Sequence, residues 1–267
     1  MKYFLIGNPL GHSISPYIHT RLFEYDNVSA EYTLYPIPEE KFKGFTQNIH
    51  EKKEDFSGFN ITIPYKQRII PFLDGLSDEA KAIGAVNTVV LSYGGLVGHN
   101  TDYYGLVKAL EYIGAPLYGR VLLLGCGGAG LTALYAVQKA GGDITVALRN
   151  PDKLLANVKK IPLDNVTGDY DLVINATPIG MYPNIDDSPV DWSNLSARYA
   201  YDLVYNPENT KFLFGATEQG AVAANGMRML VYQAVRAHEL WLPRKRIAYT
   251  DEFLTELVRD TEFRLRG

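Results

Sequence analysis

The ten residues "VLLLGCGGAG", 121–130, constrain the fold more than any other stretch of the chain. The apolar run reads as a buried strand, and the "LTALYAVQKAGG" that follows reads as a helix closed by glycine. Gly125, Gly127 and Gly130 fit G-x-G-x-x-G between the two, the setting in which that spacing marks a dinucleotide-binding turn. Glycines let the backbone turn tightly and approach a pyrophosphate, whose charge is met by the helix N-terminus. Glycine-rich turns also arise for packing, so the motif takes its weight from the βαβ pattern around it. The uncharged stretch runs for roughly 17 residues, near the lower limit for a membrane span, but the glycine cluster breaks it into strand, turn and helix. Cys126, the single cysteine, has no partner for redox chemistry and reads as a small loop residue.

The next strand bears on which dinucleotide is bound. "DITVALRNPDK" ends in Arg149, where an NAD site usually carries an acidic residue for the ribose diol, and Asp143 lies at the wrong end of that strand. Arg149 with Lys153 one turn onward offers charge and hydrogen bonds to a 2′-phosphate, which points to NADP. Ordinary solvated basic residues are the alternative.

A chain of 267 residues favours two domains. The first part alternates strands ("KYFLIG", "AEYTLYPI", "GFNITIP") with helical patterns ("SPYIHTRLFEYD", "PEEKFKGFTQNIHEK"). Ser15 is a cap candidate before Pro16, and Ser77 opens a short helix, "SDEAKAIGA". "VNTVVLS" and "GLVGHN" form a strand pair, completing a unit with a mostly parallel sheet. Helix "DYYGLVKALEYIG" opens the second unit, and the helical stretch from "NGMRMLVYQAV" onward packs back on the first. The expected architecture is α/β in two units: a first over 1–101 with helices from about 227–267 returning to it, a dinucleotide-binding second over 102–226, and a cleft between them. A net charge of −4 and a pI near 5.8 give no general attraction to nucleic acid or anionic membrane. The lone cysteine fits a reducing compartment, and "MKYFLIGNPLGHS" lacks the apolar run and cleavage site of a signal peptide. The sequence thus reads as cytoplasmic.

In "GFNITIPYK" the period-2 pattern of a half-buried strand stops at Pro64, which suits the first position of a helix. Lys66 is then expected in a helix first turn, where the macrodipole disfavours a positive charge. It is either a solvated charge or one placed for chemistry. Polar residues gather at element ends: Ser13, Ser15, Asn60, Thr62, Asn87 and Thr101 supply neutral donors and acceptors suited to a polyhydroxylated molecule. Their alternative role is to cap helices and close turns. The five histidines show no metal-ligand spacing and no carboxylate–histidine cluster, and there is no G-x-S-x-G turn.

Taken in order, "GNPLGHSISPYIH", "FNITIPYK", "IGAVNTV", "GHNTDYYG", "GCGGAG", "NATPIGM", "DLVYNP" and "GMRMLVYQA" resemble the successive signature blocks of the shikimate dehydrogenase family. The resemblance runs from near the N-terminus to about residue 235. It implies an N-terminal substrate domain, a Rossmann NAD(P)-binding domain and C-terminal helices returning to the first, and reversible NADPH-dependent reduction of 3-dehydroshikimate to shikimate in aromatic amino-acid biosynthesis; the chain itself is expected to be a soluble monomer or homodimer. A quinate/shikimate dehydrogenase using NAD or NADP is the nearest alternative. Position by position, it implies that Lys66 and Asp102 are the catalytic pair and that Ser13, Ser15, Thr62, Asn87, Tyr205 and Gln233 hold the substrate. It places NADP contacts at Gly125, Cys126, Gly127, Gly128, Ala129, Arg149, Lys153, Leu203 and Gly226, with Asp78 at a position sometimes assigned to the cofactor. Two departures stand out. The family often reads "NTDG" where Tyr103 follows Asp102 here, and "NRT" where this chain has Leu148, Arg149 and Asn150.

Overall fold

Strand β1 (Lys2–Gly7) sends alternate side chains to opposite faces of a sheet, and both faces are covered. Tyr3 and Leu5 join a core with Phe23 of α1 (Ser15–Tyr25) and Trp241 of α7 (Met227–Trp241). On the other face Ile6 joins Phe42 of α2 (Glu39–Asn48), with Phe59 and Ile61 of β3 (Gly58–Ile61). Each large apolar side chain taken fully from water contributes roughly 1.5–3 kcal/mol. The computed structural model describes residues 1–11, 13–51, 53–152, 158–243 and 248–266.

The chain divides into two compact units, Met1–Tyr104 with Val231–Gly267, and Gly105–Leu230. The first contains a six-stranded sheet of order β2-β1-β3-β5-β6-β4, with β2 (Glu31–Pro36), β4 (Gly75–Leu76), β5 (Thr88–Ser92) and β6 (Gly95–His99). β1 is parallel to β2 and β3, whereas β5 runs antiparallel to β3 and β6. The hairpin expected at "YGG" joins β5 to β6. α3 (Asp78–Ile83) opens as its sequence predicts, with the Ser77 hydroxyl accepting from the Ala80 N–H at 3.2 Å. At α1 the expectation needs correcting. Ile14 occupies the cap and Ser15 the first helical position, so Ser15 does not cap the helix.

The C-terminal stretch is two helices, α7 and α8 (Asp251–Arg266). Trp241 stacks on Tyr3 with ring centroids 4.5 Å apart and donates its indole N–H to the Val89 carbonyl at 3.0 Å. Gly58 leaves the room that this indole occupies.

The second unit begins within α4 (Asp102–Ile113). Its sheet has the order β12-β11-β10-β7-β8-β9, and every pairing is parallel. The strands are β7 (Arg120–Leu124), β8 (Asp143–Leu148), β9 (Lys159–Pro162), β10 (Gly168–Asn175), β11 (Leu195–Asp202) and β12 (Val222–Ala224). In chain order this is 3-2-1-4-5-6, the doubly wound Rossmann topology, with its reversal point between β7 and β10. β7 is buried on both faces from Val121 to Leu124, as a central parallel strand must be. The short strands β4, β9 and β12 carry no pattern that the sequence reading could use.

Candidate active site

β3 ends at Ile61, and the following segment carries Thr62 and Lys66. The helix expected after Pro64 does not form. Tyr65 N–H bonds to the Thr62 carbonyl at 2.9 Å, turns follow, and a short 3₁₀ segment appears only at Ile70–Phe72. The Lys66 carbonyl, which a helix would have used, accepts from the Val86 N–H at 2.8 Å. Lys66 is therefore held by a turn tied to the segment entering β5, and a helix macrodipole does not tune it.

Lys66 Nζ lies 2.7 Å from Asp102 Oδ2, with side chains only 14% and 8% exposed. Asp102 opens α4, where a carboxylate suits the positive helix end. Its other oxygen, Oδ1, accepts from Asn87 Nδ2 at 2.9 Å. The orientation of that amide is fixed by the backbone. Asn87 Oδ1 accepts from the Thr101 N–H at 2.6 Å, so Nδ2 must face Asp102, Thr101 Oγ1 (2.9 Å) and Gln233 Oε1 (3.3 Å). Lys66, Asn87, Asp102 and Gln233, spread over 168 positions of sequence numbering (233 − 66 + 1), thus meet in one nearly dry polar centre of the first unit.

Ser13 and Ser15 lie together, their hydroxyls 3.2 Å apart. Thr62 is half-buried beside Gly7. Asn60 and Thr101, read from sequence as candidate ligand contacts, face inward instead. Asn60 Nδ2 donates to the Asn87 carbonyl (3.1 Å) and Thr88 Oγ1 (2.9 Å), while its Oδ1 accepts from Tyr32 (2.7 Å). Two histidines also require correction. His19 Nδ1 lies 3.0 Å from His238 Nε2, whose Nδ1 lies 3.3 Å from Asp26. This carboxylate–histidine cluster joins positions 212 and 219 residues apart, a separation that local spacing cannot reveal. Burial holds both imidazoles below their ordinary pKa.

In the second unit Gly125 follows β7 with φ +83°, and a side chain there would strike Thr177 and Ala176. A Cβ on Gly130 would lie 2.7 Å from the Gly125 carbonyl oxygen, so this glycine lets α5 (Gly128–Lys139) sit close against the turn. Gly127 differs, since a Cβ there meets nothing within 4 Å. Two glycines therefore serve the turn and the packing, and the middle one borders open space beside an N-terminus that no side chain caps. Free N–H groups at a helix start, approached through glycine, fit a pyrophosphate. Cys126 is buried, and Gly128 and Ala129 form the first turn of α5.

Arg149 is exposed just beyond β8, and Lys153 lies outside the described residues. Leu203 and Gly226 are in contact, because a side chain on Gly226 would collide with the Leu203 carbonyl. Tyr205 follows in the same unit, and burial pushes its phenol above the ordinary range. The sequence reading missed Asp202, which organises this corner. Its carboxylate accepts from Asn175 Nδ2 (2.9 Å), Val204 N–H (3.0 Å) and Thr210 Oγ1 (2.6 Å). Burial outweighs these bonds and pushes its pKa up to about 6.

Residues 5–89 match the model of the shikimate dehydrogenase substrate binding domain. The chain is 38% identical to the NADP(+) shikimate dehydrogenase of Caldicellulosiruptor saccharolyticus, over 98% of this chain and 98% of that protein. This chain belongs to the shikimate dehydrogenase family.

A Bacillus cereus shikimate dehydrogenase (NADP(+)) is 41% identical over 90% of this chain and 91% of its own. Among solved structures, a chorismate mutase/shikimate 5-dehydrogenase fusion protein from Clostridium acetobutylicum superposes with TM-score 0.89 at 37% identity, covering 100% of this chain and 98% of that one. The shikimate 5-dehydrogenase of Thermus thermophilus, solved in complex with NADP(H) and shikimate, gives TM-score 0.87 at 32% identity, covering 98% of this chain and 99% of that one. Against this shikimate dehydrogenase background Tyr103 is half-buried in the first turn of α4, its N–H on Asn100 Oδ1 at 3.2 Å. Asp78 is exposed in the first turn of α3, where its charge complements the helix dipole.

Proposed function

We propose that this chain catalyses the reversible NADPH-dependent reduction of 3-dehydroshikimate to shikimate, with Lys66 and Asp102 as its catalytic pair. The observation that carries the reading is the nearly dry Lys66–Asp102 ion pair at 2.7 Å, braced by Asn87. NADPH, when bound, supplies the hydride that reaches the ketone carbon. The Lys66 ammonium donates the proton that the nascent alkoxide needs, and Asp102 orients the ammonium and couples to it. In the oxidative direction Lys66 takes the hydroxyl proton back. Ser13, Ser15, Thr62, Asn87 and Gln233 supply neutral hydrogen bonds to the carboxylate and hydroxyls of the substrate.

The turn Gly125–Ala129 would hold the pyrophosphate, Leu203 and Gly226 would border the nucleotide, and Arg149, with Lys153, would supply charge to the 2′-phosphate. Asp78 belongs with the cofactor set on the resemblance alone. No helix among the described residues is long and apolar enough to cross a membrane. The lone cysteine supports a reducing compartment, and our reading is a cytoplasmic monomer or homodimer acting on a small molecule.

The test is initial rates of shikimate and quinate oxidation with NADP and NAD, followed by the absorbance of the reduced nicotinamide. Shikimate with NADP is expected to give the highest kcat/KM. A higher value for quinate, or for NAD, overturns the assignment.

A further inference from the structure

The polar centre around Asp102 is backed by two buried residues whose side-chain polar atoms are all committed to other protein groups. Asn60 and Thr88 are directly paired across the antiparallel strands β3 and β5, and they are 4% and 0% exposed. Asn60 donates to Thr88 Oγ1 at 2.9 Å. Thr88 Oγ1 in turn lies 3.3 Å from Asn87 Oδ1 and 3.1 Å from Thr101 Oγ1. The Asn87 carbonyl also accepts from Asn60 Nδ2 and from the Ile61 N–H. The strand that leads to Lys66, the strand entered through Asn87, and the segment that leads to Asp102 are thus cross-linked at one buried point.

We propose that Asn60 and Thr88 are positioning residues that set the geometry of the Lys66–Asp102 pair through Asn87. Neither residue touches the reacting atoms. The backbone fixes the directions of the network. The Asn87 carbonyl can only accept, so the Asn60 amide nitrogen faces it, which leaves Asn60 Oδ1 for the Tyr32 hydroxyl. The same hydroxyl of Thr88 then braces the Asn87 amide whose nitrogen holds Asp102 Oδ1. Supporting groups of this kind typically change activity about 10–100-fold when removed, by letting the groups that they hold drift from productive geometry. The inference rests on the assignment of Lys66 and Asp102 as the catalytic pair.

The test is Thr88→Val, which keeps the shape and removes the hydroxyl, beside Thr88→Ser, which keeps the hydroxyl. Thr88→Val is expected to lower kcat for shikimate oxidation by about 10–100-fold with KM within about threefold. Thr88→Ser is expected to restore kcat to within about threefold of the natural protein. Asn60→Ala should show the same kcat-selective loss and serves where Thr88→Val does not fold. A readout independent of turnover is the Lys66–Asp102 coupling in a double-mutant cycle on unfolding, expected to fall by about twofold or more in Thr88→Val. If Thr88→Val is less stable yet keeps both kcat and the coupling, or if serine does not rescue, the hydroxyl merely packs and the proposal is overturned. An inactive natural protein refutes the proposed reaction alone, because the coupling then decides the positioning role.

Discussion

Breaking the Lys66–Asp102 pair from either side should cost stability unequally. At 2.7 Å the attraction between the two charges is about 6 kcal/mol for an effective dielectric of about 20. Much of it offsets the several kcal/mol per ion lost on leaving water. Removing one partner therefore costs about 3–5 kcal/mol, since the other charge keeps its desolvation penalty without its attraction. Asp102→Asn should lie toward the upper end, because the ammonium loses the carboxylate that accepts its hydrogen bond. Lys66→Met should lie toward the lower end, because Asn87 Nδ2 still donates to Asp102. The double variant should recover about 1.5–3 kcal/mol relative to the sum of the two single changes.

The assay is urea unfolding, read in a Trp192→Phe background. Trp241 then reports the first unit alone, and Trp192, whose indole N–H is buried without a hydrogen-bond partner, gives up no bond on replacement. An unchanged m-value ensures that the midpoints measure stability. In turnover each single variant should lose roughly 10²–10⁴ in kcat. A coupling below about 0.5 kcal/mol would mean that the two sites behave independently, which refutes the account of a desolvated, mutually dependent pair.

Arg149→Ala should raise KM for NADP about 10–100-fold, the equivalent of one charge-assisted hydrogen bond, and leave KM for NAD unchanged. Equal effects on both cofactors would remove Arg149 from the 2′-phosphate. Gly130→Ala should destabilise the second unit by about 1–3 kcal/mol through its collision with the Gly125 carbonyl, whereas Gly127→Ala should melt normally and bind nucleotide more weakly; thermal melts with cofactor titrations separate the two. Asp202 titrates at about 6 in the folded chain against 3.8 as a free side chain. The folded state then binds the extra proton between these values, and this group's contribution falls as pH rises through the window, by about 2–3 kcal/mol at most. Asp202→Asn should abolish that component, visible as a flatter curve of urea midpoint against pH.

Features fixed by neighbours in sequence were legible before the structure. The Gly125–Gly130 turn, the Ser77 cap and the "YGG" hairpin each depend on a few adjacent residues, and each has the expected form. The helix that Pro64 predicts for Lys66 does not form because the bond that decides its backbone comes from Val86, twenty positions away. Asn60 was read as facing a ligand because alternation normally separates a wet face from a dry one. β3 is buried on both faces, so its polar residue points into the protein. Thr88 gave no signal at all, since a threonine in a strand is ordinary until its partner is known. Asp202 is hidden in the same way, inside a strand pattern, since its side-chain donors Asn175 and Thr210 are brought to it by the fold.

The division of the chain also sets the order in which the molecule can be completed on a ribosome. Residues 105–230 are contiguous and can close their sheet as they emerge, but the first unit needs residues from both ends of the chain. Tyr3 stands in the nascent chain without Trp241, the ring that stacks on it in the finished core. At about 5–20 residues per second, the 137 residues from Gly105 to Trp241 (241 − 105 + 1) take roughly 7–27 s to synthesise. For that interval an aromatic sheet face stays open to solvent, so the unit that starts first along this chain is the later of the two to be protected from aggregation.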